Sequence, residues 1–230
     1  MNIGNSIYVS NNSNAREFNI ENSKLIKIDD KNFQKDRIYS NGKYICIRNP
    51  FDVNIYSLNM KLINIIIHQS SQSLLIDDDD KILISSNDKF CIYDLKGTLL
   101  KSWSLDDNSN KQIRGRRMSI YKNEIYVADT SFNRVCVFSY EGELLRSWGD
   151  EGKKLGNFRN PWGITIYKNI VFVVDFLNNK IQTFTCYGKF IYEYTFENNT
   201  TYSEIIIIDD YIYLIDWKSP IMIKLKLTFN

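Results

Sequence analysis

Histidine is almost missing from this 230-residue chain. The one present, His68, ends an apolar run of isoleucines. A three-histidine zinc site is therefore excluded. A Ser-His-Asp arrangement would have to use His68, and no G-x-S-x-G elbow stands near it. His68 is read as a strand-end residue. Cysteine is sparse too: Cys46, Cys91, Cys136 and Cys186, with no C-x-x-C pair. All four are read as thiols of a reducing intracellular compartment. There are 3 prolines and 2 alanines against 33 isoleucines and 26 asparagines. That bias follows AT-rich codon usage, as in a protist or a large DNA virus, and is compatible with packaging in a virus particle. No apolar run reaches the roughly 18 residues of a spanning helix, so no membrane role is expected. The N-terminal stretch MNIGNSIYVSNNSN lacks a basic segment leading into an apolar one, so no secretory signal is expected. A net charge of +2 gives no whole-chain attraction to nucleic acid or membrane, and such a role needs a local patch.

What is present is repetition. SIYKNEIYVADTSFNRVCVFSYEGELLRSW is followed 46 residues later by TIYKNIVFVVDFLNNKIQTFTCYGKFIYEY. Tyr121-Lys122-Asn123 falls on Tyr167-Lys168-Asn169, Asp129 on Asp175, Asn133 on Asn179, Phe138 on Phe184 and Gly142 on Gly188. Cys91 and Cys136, 45 residues apart, share one place in successive units. Equivalent points of neighbouring units lie beyond the roughly 7 Å Cα separation of a disulfide. A period in the 40s with four short strands per unit marks a β-propeller blade. The strands are rich in β-branched and aromatic residues and are bounded by Asn, Asp, Ser and Gly. Six units can be counted. The first, opening at Ile7-Tyr8-Val9-Ser10, lacks its strand a, and the last, ending in IMIKLKL, lacks its strand d. The expectation is a single all-β propeller domain over 1–230 with six blades. The alternative is five blades with a composite closing blade.

The segment 152–192 carries a more specific pattern. Gly156, Phe158, Pro161, Gly163, Asp175, Asn179, Lys180, Ile181, Gln182 and Phe184, with Ile125 to Asp129, Asn133, Arg134 and Phe138 one unit earlier, resemble the NHL repeat. The resemblance implies a propeller whose loop face meets protein or RNA. Some relatives with similar blades are lyases or hydrolases with metal-bound His or Glu clusters. Fold alone does not choose among them. The repeated Asp129, Asp175, Asn133 and Asn179 are read as turn-holding residues, because Asp and Asn bond nearby backbone amides. Arg134 or Lys180 can pair with the preceding Asp.

Asp77-Asp78-Asp79-Asp80 lacks the glycine and graded spacing of a calcium loop and is read as a solvated acidic turn, with a weak cation site as the lesser reading. Trp103 and Trp148, in LLKSW and LLRSW, are read as packing between blades. The apolar C-terminal strands belong to the closing blade, or offer an unpaired edge to another copy. The stretch 106–112 is read as a loop between units three and four. The candidate partner site is the basic run Arg114, Arg116 and Arg117, which stands where the next unit has Asn160-Pro161-Trp162-Gly163. Lys153, Lys154 and Arg159 lie in the following loop, and on one face these six cations would contact phosphates. Trp162 would add a stacking surface. The leading expectation is a non-catalytic scaffold that binds protein partners or itself. The alternative is RNA or single-stranded nucleic-acid binding, and a propeller lyase or hydrolase stands third. No catalytic residue, metal or cofactor is assigned.

Overall fold

The computed structural model describes residues 2–3, 6–10, 15–21, 24–31, 37–49, 51–86, 89–104, 113–196, 201–218 and 222–227, with side chains from residue 39 onward. The chain divides into two compact units, Met1–Trp103 and Ser104–Asn230. The expected loop over 106–112 lies outside the described residues.

Unit one holds three four-stranded antiparallel sheets in sequence order. They are β1 (Asn2–Ile3), β2 (Ser6–Ser10), β3 (Ala15–Glu21) and β4 (Lys24–Lys31); β5 (Arg37–Ser40), β6 (Tyr44–Arg48), β7 (Asp52–Ser57) and β8 (Leu62–Ile67); and β9 (Ser73–Ile76), β10 (Ile82–Ser85), β11 (Lys89–Tyr93) and β12 (Leu99–Ser104). Unit two holds β13 (Gly115–Tyr121), β14 (Glu124–Asp129), β15 (Arg134–Ser139) and β16 (Leu144–Trp148), then β17 (Pro161–Tyr167), β18 (Ile170–Asp175), β19 (Lys180–Thr185) and β20 (Phe190–Thr195). A sheet of β21 (Tyr202–Ile208), β22 (Tyr211–Asp216) and β23 (Met222–Lys226) follows. These are the four-stranded meanders of a β-propeller.

Two expectations are corrected. The first unit does not lack its strand a, because β1 pairs with β2 through Asn2↔Ile7 and Ile3↔Ser6. Among the described residues there are five four-stranded blades, the number of the alternative reading, and not six. The six-blade count took the last unit as a blade of its own although it was expected to lack strand d, and β21–β23 do form a three-stranded sheet among the described residues.

The turns show why such different sequences make one blade. Between strands c and d, the amide of Met60, Gly97, Gly142 or Gly188 donates to the carbonyl of Ser57, Asp94, Ser139 or Thr185 at 2.9 to 3.1 Å. The oxygen-bearing side chain that opens each turn also accepts an amide within it, as when Thr98 N donates to Asp94 Oδ1 at 2.8 Å. This side-chain bond replaces a backbone partner, the reason Ser, Asp and Thr recur there. The glycines sit at positive φ, and Met60 takes the same conformation at φ 62° in blade two. Between strands a and b, Lys122-Asn123, Lys168-Asn169 and Asp209-Asp210 have two consecutive positive φ values, the two-residue hairpin geometry that tolerates Asn and Asp.

The core lies between sheets. In unit two, Tyr126, Ala128, Val135 and Val137 of the fourth blade pack against Phe158, Ile164, Val171, Val173 and Phe184 of the fifth. Trp148 stands between them, 5.8 Å from the ring of Phe184 and 6.5 Å from that of Tyr126, as its placement on strand d implied. A Cβ on Gly188 would come within 2.7 Å of Trp148, so the indole occupies the space that the glycine leaves.

Candidate functional site

The site begins with two buried carboxylates. Asp129 and Asp175 close β14 and β18, and both are fully buried. Asp129 Oδ1 accepts the amide of Arg114 at 3.2 Å and that of Ser131 at 3.0 Å, while Oδ2 accepts Arg134 Nε at 3.0 Å. Asp175 Oδ1 accepts the amide of Arg159 at 2.7 Å, and Oδ2 accepts Asn178 Nδ2 at 2.7 Å and Gln182 Nε2 at 3.0 Å. Burial pushes both carboxyls above the usual Asp range, against the downward pull of these donors. The expected Arg134 pair is present. Lys180 instead meets Glu193 at 2.7 Å. Each aspartate thus fixes the backbone of an arginine at the mouth of its own blade.

The loop from β16 to β17 is tied down along its length. Gly152 N donates to Phe158 O at 2.9 Å and Phe158 N to Asp150 O at 2.8 Å. Gln182, fully buried, accepts Gly156 N at 2.9 Å and donates to Asn157 O at 2.6 Å. Asn178 Nδ2 donates to Gly152 O at 2.8 Å, and Asn160 N donates to Asn133 Oδ1 at 2.6 Å. Phe158 anchors the loop in the core.

In antiparallel four-stranded blades, the start of strand a, the b–c turn and the end of strand d lie at one edge. The mouth of blades four and five is therefore built from residues distant in sequence. A cleft of about 360 Å³ opens there, lined by Arg114, Arg116, Thr130, Ser131, Asn133, Glu151, Arg159, Asn160 and Leu177. The structure brings three of the expected cations, Arg114, Arg116 and Arg159, to one cavity. Asn133, Asn160, Glu151 and Leu177 were not expected as site residues. Asn133 and Asn160 carry a usable signal, since both are turn asparagines at positive φ beside the arginines.

The remaining expected residues do other work. Arg117 is buried and ion-paired with Glu204 of β21. It belongs to β13 and not to a loop, because the run opens a strand whose register shifts between Gly115 and Arg117. Trp162 holds no open stacking face. At 7% exposure it is stacked on Phe176 at 4.0 Å, meets Trp217 edge-on at 4.6 Å, and carries the Arg116 guanidinium 4.7 Å from its centroid. The 3-10 turn Phe176–Asn178 brings Phe176 there. Lys153 and Lys154 are exposed on the same loop and do not line the cleft.

Other candidates resolve structurally. His68 is buried, with Nδ1 3.0 Å from Tyr93 Oη. Asp77 Oδ1 accepts Lys81 N at 2.7 Å, and Asp80 Oδ1 accepts Asn41 Nδ2 at 2.8 Å and meets Lys43 Nζ at 3.3 Å. The four-aspartate run is thus a braced turn. Among the described residues, no group of three or more His, Cys, Asp or Glu is placed to hold a metal ion. None of the four cysteines is in a disulfide, and burial pushes the Cys46 thiol up to about 12. No helix among the described residues is long and apolar enough to cross a membrane.

The blades and their loop-edge cleft define a β-propeller. Comparison with solved structures agrees. The chain is similar in structure to a protein of unknown function from Bacteroides caccae, with TM-score 0.75 and 10% identity over 95% of this chain and 89% of that one. It is similar to streptogramin B lyase, with TM-score 0.69 and 13% identity over 98% and 80% of the two chains. It is also similar to the computationally designed protein Ika8, with TM-score 0.62 and 13% identity over 99% and 70%. At such identity these likenesses speak to the fold alone. No protein-family model matches the sequence, and no curated protein matches it.

Proposed function

We propose that this β-propeller, NHL-like in its repeated Asp and Asn turns, is a non-catalytic scaffold that binds an anionic segment of a protein partner at the mouth of blades four and five. The observation that carries this reading is the convergence of Arg114, Arg116 and Arg159 on one cleft. Guanidinium forks match carboxylate and phosphate oxygens two at a time. The loop that holds Arg159 is braced before any partner arrives, so little ordering opposes binding. The tightly held aspartates support a scaffold over a catalyst, since their oxygens are occupied by the backbone and neighbouring donors.

RNA binding is the second reading, favoured by the same arginines. It is weakened because Trp162 is covered on one face by Phe176 and lies under Arg116, which leaves no free indole for a base. The test is fluorescence anisotropy with two labelled pools, Asp/Glu-rich peptides and random single-stranded RNA, across a salt series. Tighter binding of the peptide pool is the expected result. Binding of RNA alone would overturn the protein-partner reading, and binding of neither would overturn the scaffold reading at this cleft.

A further inference from the structure

We infer that the cleft between Arg114, Arg116 and Arg159 is a receptor for a phosphate monoester carried on the partner segment. This rests on the scaffold reading above and specifies the ligand. Three arginines and one acidic residue, Glu151, line the cavity. A phosphate monoester carries close to two negative charges at neutral pH, whereas a carboxylate or a phosphodiester carries one. Three oxygens on one phosphorus can meet donors from two strand starts, as the arginines are arranged: Arg114 just before β13 and Arg116 within it, and Arg159 before β17. Asn133, Asn160, Thr130 and Ser131 add neutral polar groups around them.

Three features disfavour a continuous nucleic-acid strand. Glu151 puts a carboxylate side chain in the cleft lining, which repels the phosphates of a continuous strand. Trp162 offers no open face to a base. Lys153 and Lys154, which would extend a backbone track, lie outside the cavity. The arginines are also positioned in advance: Asp129 and Asp175 hold the amides of Arg114 and Arg159, and the Trp162 ring supports the Arg116 guanidinium. A pocket of about 360 Å³ admits a phosphorylated side chain with its neighbouring backbone.

The experiment titrates the full chain with four fluorescent probes: a Gly/Ser peptide bearing one phosphoserine, the same peptide with serine, the same with glutamate, and a short oligouridine. The phosphopeptide is expected to bind about tenfold more tightly than the glutamate peptide, because charge-assisted bidentate bonds to a dianion exceed those to a monoanion. Its affinity is expected to fall as pH drops through about 6, where the second phosphate charge is lost. The paired variant Arg114→Gln with Arg159→Gln should abolish the preference at an unchanged melting temperature. The pair Lys153→Gln with Lys154→Gln should keep it. Equal binding of phosphoserine and glutamate peptides would overturn the phosphate assignment and leave the anionic-partner reading standing. Oligouridine binding more tightly than the phosphopeptide would overturn both in favour of nucleic acid. Loss of the preference in the lysine pair would also overturn the assignment, by moving the contact out of the cleft.

Discussion

Arg117 of β13 and Glu204 of β21 form an ion pair across the intervening strand β17. The bulges near the start of β13, β17 and β21 place Arg117, Gly163 and Glu204 at the same point of three successive sheets. The middle position has no side chain. With side chains only 11% and 19% exposed, the two charges are largely removed from water. Glu204→Ala is expected to destabilise the fold by about 3 kcal/mol, since one charge of a desolvated pair is left behind. The double change to Met at both positions should cost less than either single loss. Urea unfolding of the three variants checks this.

Gly163 also lies against the backbone of β21. A Cβ there would lie 3.0 Å from Val174 Cγ2, 3.1 Å from Ile205 N and 3.1 Å from Ser203 O. Two of these neighbours are backbone and cannot rotate away. Gly163→Ala is expected to cost about 1–3 kcal/mol by overpacking, read as a lowered urea midpoint. An unchanged midpoint would show that β17 and β21 have slack.

The buried Asp175 sets a pH signature. Its carboxyl is raised above the unfolded value by burial, so the native state holds its proton over the window between the two values. Its contribution to stability is therefore full below about pH 4 and declines as pH rises through the raised value. Asp175→Asn removes that titration. The stability of the native sequence relative to Asp175→Asn should be greater near pH 4 than near pH 7, measured by urea unfolding at both. A difference that is constant across pH would refute the assignment.

Neighbouring a–b turns are clasped in a repeated way. Lys168 Nζ lies 2.7 Å and Tyr167 Oη 3.1 Å from Asp210 Oδ1. Lys122 Nζ lies 3.1 Å from Asn169 Oδ1, which Tyr121 Oη also meets. The two clasps share the Tyr and Lys groups and an acceptor oxygen, which Asp supplies in one and Asn in the other, so Asp210→Asn should be tolerated. Asp210→Ala should lower the melting temperature, though by less than Gly163→Ala, because exposed pairs contribute little. Thermal melts of the three variants decide it.

The repeat residues that make the blades were legible because their roles are local. Asp129 and Asp175 bond amides of their own blade and the turn glycines close hairpins within it, so their spacing declares them, whereas the bond of Asn133 to the Asn160 amide of the next blade does not show in the repeat. β1 was missed because Asn2 and Ile3 form a strand too short to show a pattern. In the site, the arginines announced themselves by replacing Asn160-Pro161-Trp162-Gly163. Their fates did not, since Arg117 finds Glu204 across 87 residues and Trp162 is covered by Phe176 and Trp217. Such partners meet only once the sheets are side by side, and no local pattern encodes the meeting.

The most direct measurement is a salt-series anisotropy titration of the phosphoserine peptide against two charge-reversed chains: Arg114→Glu with Arg159→Glu, and Lys153→Glu with Lys154→Glu. Both pairs change the net charge equally and differ only in whether the side chains line the cleft. Loss of binding in the arginine pair, with binding kept in the lysine pair, is the predicted result. Equal weakening in both would mean that the probe senses net charge alone, and would contradict a binding cleft at the mouth of blades four and five.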